Sequence, residues 1–139
     1  MKKIDRKIIF NKFNGLCAYT GKMLGHDWQV DHIQPCKHTW GEKEKRVNPN
    51  VIIGTHKIDN LFPAIKIINH YKRDSSLEEF RKSMMTFHLR LKKLPKNTIV
   101  QRTKKRIIYM NTIADLFDIT IDKPFNGKFY FETIINKND

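Results

Sequence analysis

An aspartate and a histidine stand side by side in a short apolar segment that a proline ends. They are Asp31 and His32, within residues 28–35. A neutral imidazole takes a proton from water near pH 7, and a carboxylate oxygen is a ligand that Mg²⁺ prefers. The pair therefore contains a base and an anionic metal ligand, the two groups on which metal-assisted hydrolysis of a phosphodiester depends. Standing alone, however, such a pair is more often an ordinary strand end than a catalytic site.

Two asparagines further along the chain extend the pair to a set. Asn60 lies where a loop leads into an apolar segment, so its side-chain amide is predicted to tie down the backbone that carries His32. Asn69 offers an amide oxygen from a helix as a second metal ligand. His70, the next residue, is the alternative ligand.

These residues together resemble the HNH endonuclease family, whose core is a ββα unit that binds a metal ion. The family pattern is a D-H dipeptide, an N-L dipeptide and an N-x-x-K sequence on a helix. The matching residues are Asp31-His32, Asn60-Leu61 and Asn69-His70-Tyr71-Lys72. Nine residues separate the two asparagines, as is usual in the family, and this spacing together with Lys72 favours Asn69 over His70 as the ligand. Residues 76–81 and 129–132 are similar to a subgroup associated with phages and bacteria.

The resemblance implies a DNA endonuclease that hydrolyses phosphodiester bonds of double-stranded DNA. It implies that His32 is the general base and that Asn60 positions the loop carrying it. It also implies that Asp31 and Asn69 bind one Mg²⁺ or Mn²⁺ ion per site. Two alternatives remain open: a catalytically inactive nucleic-acid-binding protein that kept the fold, and a metal-dependent RNase.

One part of the family pattern is missing. Many members carry two C-x-x-C knuckles that bind a structural zinc ion, and the corresponding positions here are Cys17, Thr20, Ile65 and Ile68. Tetrahedral Zn²⁺ is bound by sulfur, imidazole or carboxylate ligands, which threonine and isoleucine do not supply. We therefore expect no structural zinc, a small hydrophobic cluster in its place, and Cys17 as a buried packing thiol.

The charge of the chain indicates a polyanionic partner. Lys and Arg number 27 against 14 Asp and Glu, which gives a formal net charge of +13. No acidic residue lies between Glu79 and Asp115, so ten cations of that interval, Arg81 and Lys96 among them, are not expected to form a face laced by ion pairs. Either they are a solvated basic surface or, as we favour, they contact phosphates and release counterions. The nucleic-acid contacts predicted from this interval are Arg90, Lys92, Lys93, Arg102, Lys104, Lys105 and Arg106. The family resemblance implies two more, Lys72 and Arg73, near the scissile phosphate.

The elements that must position these side chains predict an α+β fold. Helices are expected over residues 5–14, 64–73, 76–93 and 100–117, and strands over residues 29–33, 60–62 and 129–131. The resemblance implies a ββα-metal HNH core with an N-terminal helix (residues 1–75), and a basic helical extension that packs on the core and ends in a short strand (residues 76–139). Neighbouring residues of a regular strand point to opposite faces, so Asp31 and His32 serve one site only if the strand bends or ends there.

The chain lacks the signals of a membrane or secreted protein. No apolar run approaches 18 residues, and the basic N-terminus lacks the apolar stretch of a signal peptide. Two cysteines are too few for a disulfide framework. We expect a cytoplasmic protein of a bacterial cell or phage-infected host, with no membrane partner.

Overall fold

The computed structural model describes residues 2–35 and 57–137 of the chain. The predicted surface loop over residues 36–50 and the apolar segment after it lie outside the described residues. The described elements are α1 (Lys3–Asn11), β1 (Gln29–His32), a 3₁₀ turn (Ile58–Asn60), β2 (Leu61–Ala64), α2 (Lys66–Lys72), α3 (Leu77–Met85), α4 (Phe87–Lys92), α5 (Gln101–Leu116) and α6 (Tyr130–Lys137). This mixture of helices and a small antiparallel sheet confirms the α+β class. None of these helices is long and apolar enough to span a membrane.

The two strands pair antiparallel, and the first helix after them follows within two residues. Asp31 lies opposite Phe62 and His32 opposite Leu61 in the ladder. Pro63 was predicted to begin the helix but belongs to β2, where it pairs with Val30. A proline is tolerated here because β2 is an edge strand of this two-stranded sheet.

Two cations from the N-terminal region attach it to the ends of both strands. The Arg6 guanidinium donates to the carbonyl oxygen of Trp28 at 2.6 Å and lies 3.9 Å from the centre of the Trp28 ring, just before β1. The Lys12 ammonium donates to the carbonyl oxygens of Ile58 and, at 2.7 Å, Leu61. These two carbonyls flank Asn60, so the N-terminal region fixes the start of β2 as well as the start of β1.

One large hydrophobic cluster runs through both predicted segments of the chain, and a smaller one lies around Ile9, Trp28 and Leu61. Tyr19 from the N-terminal segment contacts the rings of Phe62, Phe80, Phe129 and Phe131, with ring centroids 5.3–6.3 Å apart. Edge-to-face contacts of this kind add to the free energy of burial. Aromatic residues of the C-terminal segment therefore pack against aromatic residues of the N-terminal segment.

The C-terminal segment predicted to be a strand is the helix α6. The carboxylate of Glu132 accepts a hydrogen bond from the backbone amide of Phe129 at 2.9 Å, which caps the first turn. The next amide, that of Tyr130, donates to the carbonyl oxygen of Tyr19 at 3.0 Å. The aromatic run that suggested a strand is thus the buried start of a helix, and tertiary contacts satisfy its free amides.

The helix predicted over residues 76–93 is two helices. Its start is as predicted, with a capping box between Ser76 and Glu79. The break is at Thr86, whose φ of −110° and ψ of 6° depart from helical values. The carbonyl of Ser83 near the break accepts from the Arg90 guanidinium at 2.6 Å. This side chain replaces part of the backbone hydrogen bonding that the break removes.

We expect one ion pair to control the attachment of α6. Arg81 donates to both carboxylate oxygens of Glu132, at 2.6 and 2.8 Å. Partial burial alone would raise the pKa of Glu132, but the hydrogen bonds from Arg81 and the Phe129 amide outweigh it, and the pKa is lowered. Such a carboxyl stabilises the fold above its unfolded pKa of about 4.3 and loses this contribution as the pH falls through the folded pKa.

Glu132→Gln is therefore expected to lower the free energy of unfolding at pH 7 by about 1–2 kcal/mol. The difference from wild type should shrink as the pH is lowered below about 4. Urea unfolding at several pH values measures it, with Glu78→Gln as the control, since the Glu78 carboxylate is 70% exposed. A difference that does not change with pH would contradict this account of Glu132.

Candidate functional site

A cleft of about 230 Å³ lies between the end of β1 and α2. It brings together three of the four residues that the sequence predicted to act in one site. Asn69 lines this cleft, whereas His70 lines a different cavity. Of the two residues predicted as alternative metal ligands, Asn69 is thus the one that lies beside Asp31 and His32. The lining residues are Val30, Asp31, His32, Pro35, Asn69, Arg73 and Asp74.

The Asp31 carboxylate is held from two sides inside the protein. It is only 3% exposed, and it accepts hydrogen bonds from the Tyr19 hydroxyl and, at 3.3 Å, from the Lys72 ammonium. Burial raises the pKa of Asp31, and the charge of Lys72 and the hydrogen bond from Tyr19 offset part of that increase. Burial and the carboxylate raise the pKa of Tyr19 well above its ordinary value, so its hydroxyl stays protonated and acts as the donor.

Lys72, which was predicted to contact nucleic acid, is buried inside the protein. Its side chain is 0% exposed. Besides Asp31, its ammonium donates to the carbonyl oxygens of His32 at 3.0 Å and Ser75 at 2.8 Å. All three protons of the ammonium thus have acceptors, which a buried charge requires. Lys72 orients the Asp31 carboxylate and the His32 backbone together.

The strand ends where the sequence required it to end. His32 is the last residue of β1, and the next amide, that of Ile33, donates to the carbonyl oxygen of Asn60 at 3.0 Å. Asp31 is buried while His32 is half-buried, and both line the cleft. The two neighbours therefore meet at one cavity despite the alternation of a regular strand.

Asn60 holds the segment that follows His32. Its amide oxygen accepts from the backbone amide of Gln34 at 3.0 Å, and its amide nitrogen donates to the Gln34 carbonyl at 3.0 Å. This two-way contact is the backbone tether that the sequence predicted for Asn60. Asn60 is not among the residues lining the cleft, so it acts on the segment and not on a ligand.

Asp31 and Asn69 bring to the cleft two oxygen-bearing groups of the kinds that hard divalent cations bind. The amide nitrogen of Asn69 donates to the Gln29 side chain at 2.7 Å, which leaves the amide oxygen as the donor atom for a metal ion. A carboxylate and an amide oxygen suit Mg²⁺, which keeps several waters and binds substrate phosphate. Within residues 2–35 and 57–137, no group of three or more His, Cys, Asp or Glu side chains is placed to hold a metal ion.

Arg73 occupies a strained position at the rim of the cleft. It is exposed, and its φ of 54° and ψ of −135° belong to a turn position that favours glycine. The surrounding turn holds it there, because the amide and hydroxyl of Ser75 both donate to the Lys72 carbonyl, at 3.2 and 2.7 Å. A conformation of this kind costs about 1–3 kcal/mol and is found mainly at functional sites.

The positions of the missing zinc ligands are packed. Cys17 and Ile68 are both 0% exposed members of one hydrophobic cluster, and Ile65 packs against it. The Thr20 hydroxyl accepts from the backbone amide of Lys22 at 3.2 Å. Cys17 is a buried packing thiol, as expected.

The residue after Thr20, Gly21, has a φ of 71°, and an added Cβ would lie 2.6 Å from the Tyr130 ring.

The ten cations between Glu79 and Asp115 divide into two groups. Arg81 pairs with Glu78 and Glu132, and Arg90 donates to Tyr71 and to residues of α3. These two arginines are structural. The others are exposed, and none makes an ion pair within the part of the chain that the structure describes. They are Lys82, Lys92, Lys93, Lys96, Arg102, Lys104, Lys105 and Arg106.

Two positioning residues were missed by the sequence analysis. Tyr19 appeared only as part of a short turn, and Lys12 as a polar residue of the first helix. Tyr19 and Asp31 are 12 positions apart in the sequence, and Lys12 and Leu61 are 49 positions apart. A tyrosine in a tight turn is a weak signal, because nothing local shows which distant acceptor it will reach.

Comparison with known proteins adds no family to this geometry. No family model matches the chain, and no curated protein or solved structure matches it.

Proposed function

We propose that the protein is a metal-dependent DNA endonuclease of the HNH type, with a ββα-metal core formed by β1, β2 and α2. The cleft that unites His32, Asp31 and Asn69 carries this proposal. The tether from Asn60 to the segment after His32 supports it, because a base must be held in a fixed position to act.

Each residue has a distinct role in the proposed reaction. His32 takes a proton from the water that attacks the phosphorus atom. Asp31 and Asn69 would hold Mg²⁺ or Mn²⁺, one ion per site. When bound, the cation stabilises the developing negative charge on the phosphate and on the leaving oxygen. Arg73 contacts the phosphate from the rim, since its side chain is exposed and lines the cleft.

The buried ammonium makes the cation site depend on substrate. Lys72 balances the charge of Asp31, so the two protein ligands and Lys72 together carry no net negative charge. A phosphodiester supplies the missing negative charge when nucleic acid enters the cleft. This arrangement favours cation binding together with the nucleic acid over binding to the free protein.

A basic stripe on α5 lies beside α2, the helix that carries Asn69. Arg102, Arg106 and Tyr109 are spaced i, i+4 and i+7 and share one helix face. The Tyr109 hydroxyl lies 2.7 Å from the His70 ring nitrogen, which places this face of α5 beside α2. Cations on this stripe are thus positioned to hold duplex backbone that flanks the cleft.

The direct test is cleavage of supercoiled plasmid and of single-stranded RNA, each with Mg²⁺ or with EDTA. We expect nicked or linear plasmid with Mg²⁺ and none with EDTA. If the protein cut RNA but not plasmid, it would be a metal-dependent RNase and the proposed DNA endonuclease function would be wrong. Binding of DNA without cutting under any divalent metal would leave the inactive nucleic-acid-binding protein.

The α5 surface makes a separate prediction about salt. Replacing Arg102, Lys104, Lys105 and Arg106 with glutamine should weaken DNA binding and lower the slope of log K against log salt by about 1 for each phosphate that is no longer neutralised. Fluorescence anisotropy with a labelled duplex at 50–200 mM salt, roughly the range in which such contacts matter, measures both.

A control variant removes the same number of charges elsewhere, at the exposed residues Lys2, Lys3, Lys7 and Lys123. Equal slopes for the two variants would show that only net charge matters and that α5 is not a contact surface.

A further inference from the structure

A second cavity, of about 430 Å³, lies on the neighbouring face of α2. Asn69 lines the proposed catalytic cleft, and the next residue, His70, lines this cavity; consecutive helix residues are about 100° apart. The volume is within the range of small-molecule sites in proteins. The lining residues are Asp27, Ile65, Lys66, Ile67, His70 and Tyr109.

The walls of the cavity combine apolar surface with aromatic rings. Ile65 and Ile67 are half-buried, so each presents part of its side chain. The rings of His70 and Tyr109 are 5.6 Å apart and nearly perpendicular, at 89°, and are joined by the hydrogen bond at 2.7 Å. A flat aromatic ligand finds both apolar contacts and aromatic edges here.

Two opposite charges line the cavity without pairing. The side chains of Asp27 and Lys66 are exposed, and neither side chain makes a hydrogen bond or ion pair with any residue of the ranges 2–35 and 57–137. A ligand that offers a hydrogen-bond donor to the carboxylate and an anion to the ammonium would satisfy both. A nucleotide whose base carries an exocyclic amino group has this combination, and Asp is a known acceptor for the amino group of cytosine.

We infer that this cavity binds one base of the nucleic acid next to the cleaved phosphate, with a preference for a base that bears an exocyclic amino group. Its position beside the cleaved phosphate rests on the proposed endonuclease function. Asp27 accepts from the amino group, Lys66 contacts the phosphate of the same nucleotide, and His70 and Tyr109 contact the ring. An unpaired or displaced base enters more readily, because a base within a duplex is stacked and paired.

The test is an NMR titration of ¹⁵N-labelled protein in EDTA with deoxycytidine monophosphate, thymidine monophosphate and inorganic phosphate. We expect shifts at residues 65–70 and at Tyr109, with the cytidine nucleotide binding about tenfold more tightly than the thymidine nucleotide. Asp27→Asn should abolish this preference, and Lys66→Gln should lower the affinity for both nucleotides. The matched controls Asp122→Asn and Lys123→Gln change exposed residues away from the cavity and should leave both affinities unchanged.

Equal affinity for the two nucleotides, or equal binding of inorganic phosphate, would overturn the inference. So would shifts confined to residues outside the cavity. Because EDTA is present and a mononucleotide has no bond to cut, this result is independent of cleavage. If the protein bound the nucleotides but did not cut plasmid, the proposed endonuclease function would be wrong, and with it the position of the base beside a cleaved phosphate. The proposed base-binding cavity would still stand.

Discussion

Replacing His32 with alanine is expected to lower metal-dependent cleavage of plasmid DNA by about 10²–10⁴-fold, the usual contribution of a general base. The imidazole is half-buried at the end of β1 and lines the cleft, so its removal takes away the base but little of the core. DNA binding should change much less than the rate, because the cations on α5 remain. Single-turnover cleavage and anisotropy separate the two quantities.

The matched control is His26→Ala, which removes an exposed histidine outside the cleft. It should cleave at the wild-type rate. If His32→Ala and wild type cut plasmid at similar rates in Mg²⁺, the assignment of His32 as the base is wrong.

Lys72→Met is expected to lower the free energy of unfolding by about 3–5 kcal/mol, the usual cost of leaving a buried charge without its partner. The ammonium is 0% exposed and has Asp31, His32 and Ser75 as acceptors. Methionine has a similar length but donates nothing, so the Asp31 carboxylate would keep only the Tyr19 hydroxyl. Urea unfolding followed by circular dichroism measures the loss.

The double variant Asp31→Asn/Lys72→Met removes both charges and serves as the comparison. It should recover a large part of the lost stability, because an uncharged amide costs less to bury than an unpaired carboxylate. It should not recover cleavage, since the anionic metal ligand is gone. A Lys72→Met protein within about 1 kcal/mol of wild type would show that the ion pair contributes little to folding.

The sequence predicted the local parts of this fold better than the tertiary parts. The start of α3 followed from the Ser76–Glu79 capping box, and the tether by Asn60 followed from its place at the end of a loop. The capping box depends on residues that are close in sequence, whereas the tether was predicted from the chemistry of the asparagine side chain. The aromatic run at Phe129 was predicted wrongly because a strand-like composition cannot show that Tyr19 will accept the first helix amide.

The candidate site divides in the same way. The residue types at Asp31, His32 and Asn69 indicated which groups would converge, and the cleft contains all three. The interior position of Lys72 could not be read from the sequence, because a lysine in the last turn of a helix is normally exposed. Its burial follows from a carboxylate 41 positions earlier that enters the core and requires a partner.

The larger hydrophobic cluster makes the site depend on the rest of the chain. Tyr19 bonds to Asp31 at the cleft and packs on Phe129, which belongs to the C-terminal segment. The site is therefore not a portable unit, because a fragment that ends near residue 75 would lose three of the four aromatic rings that contact Tyr19. Any transplant of this cleft, or any exchange of the basic extension to alter DNA preference, has to keep the rings of Phe80 and Phe129 in place.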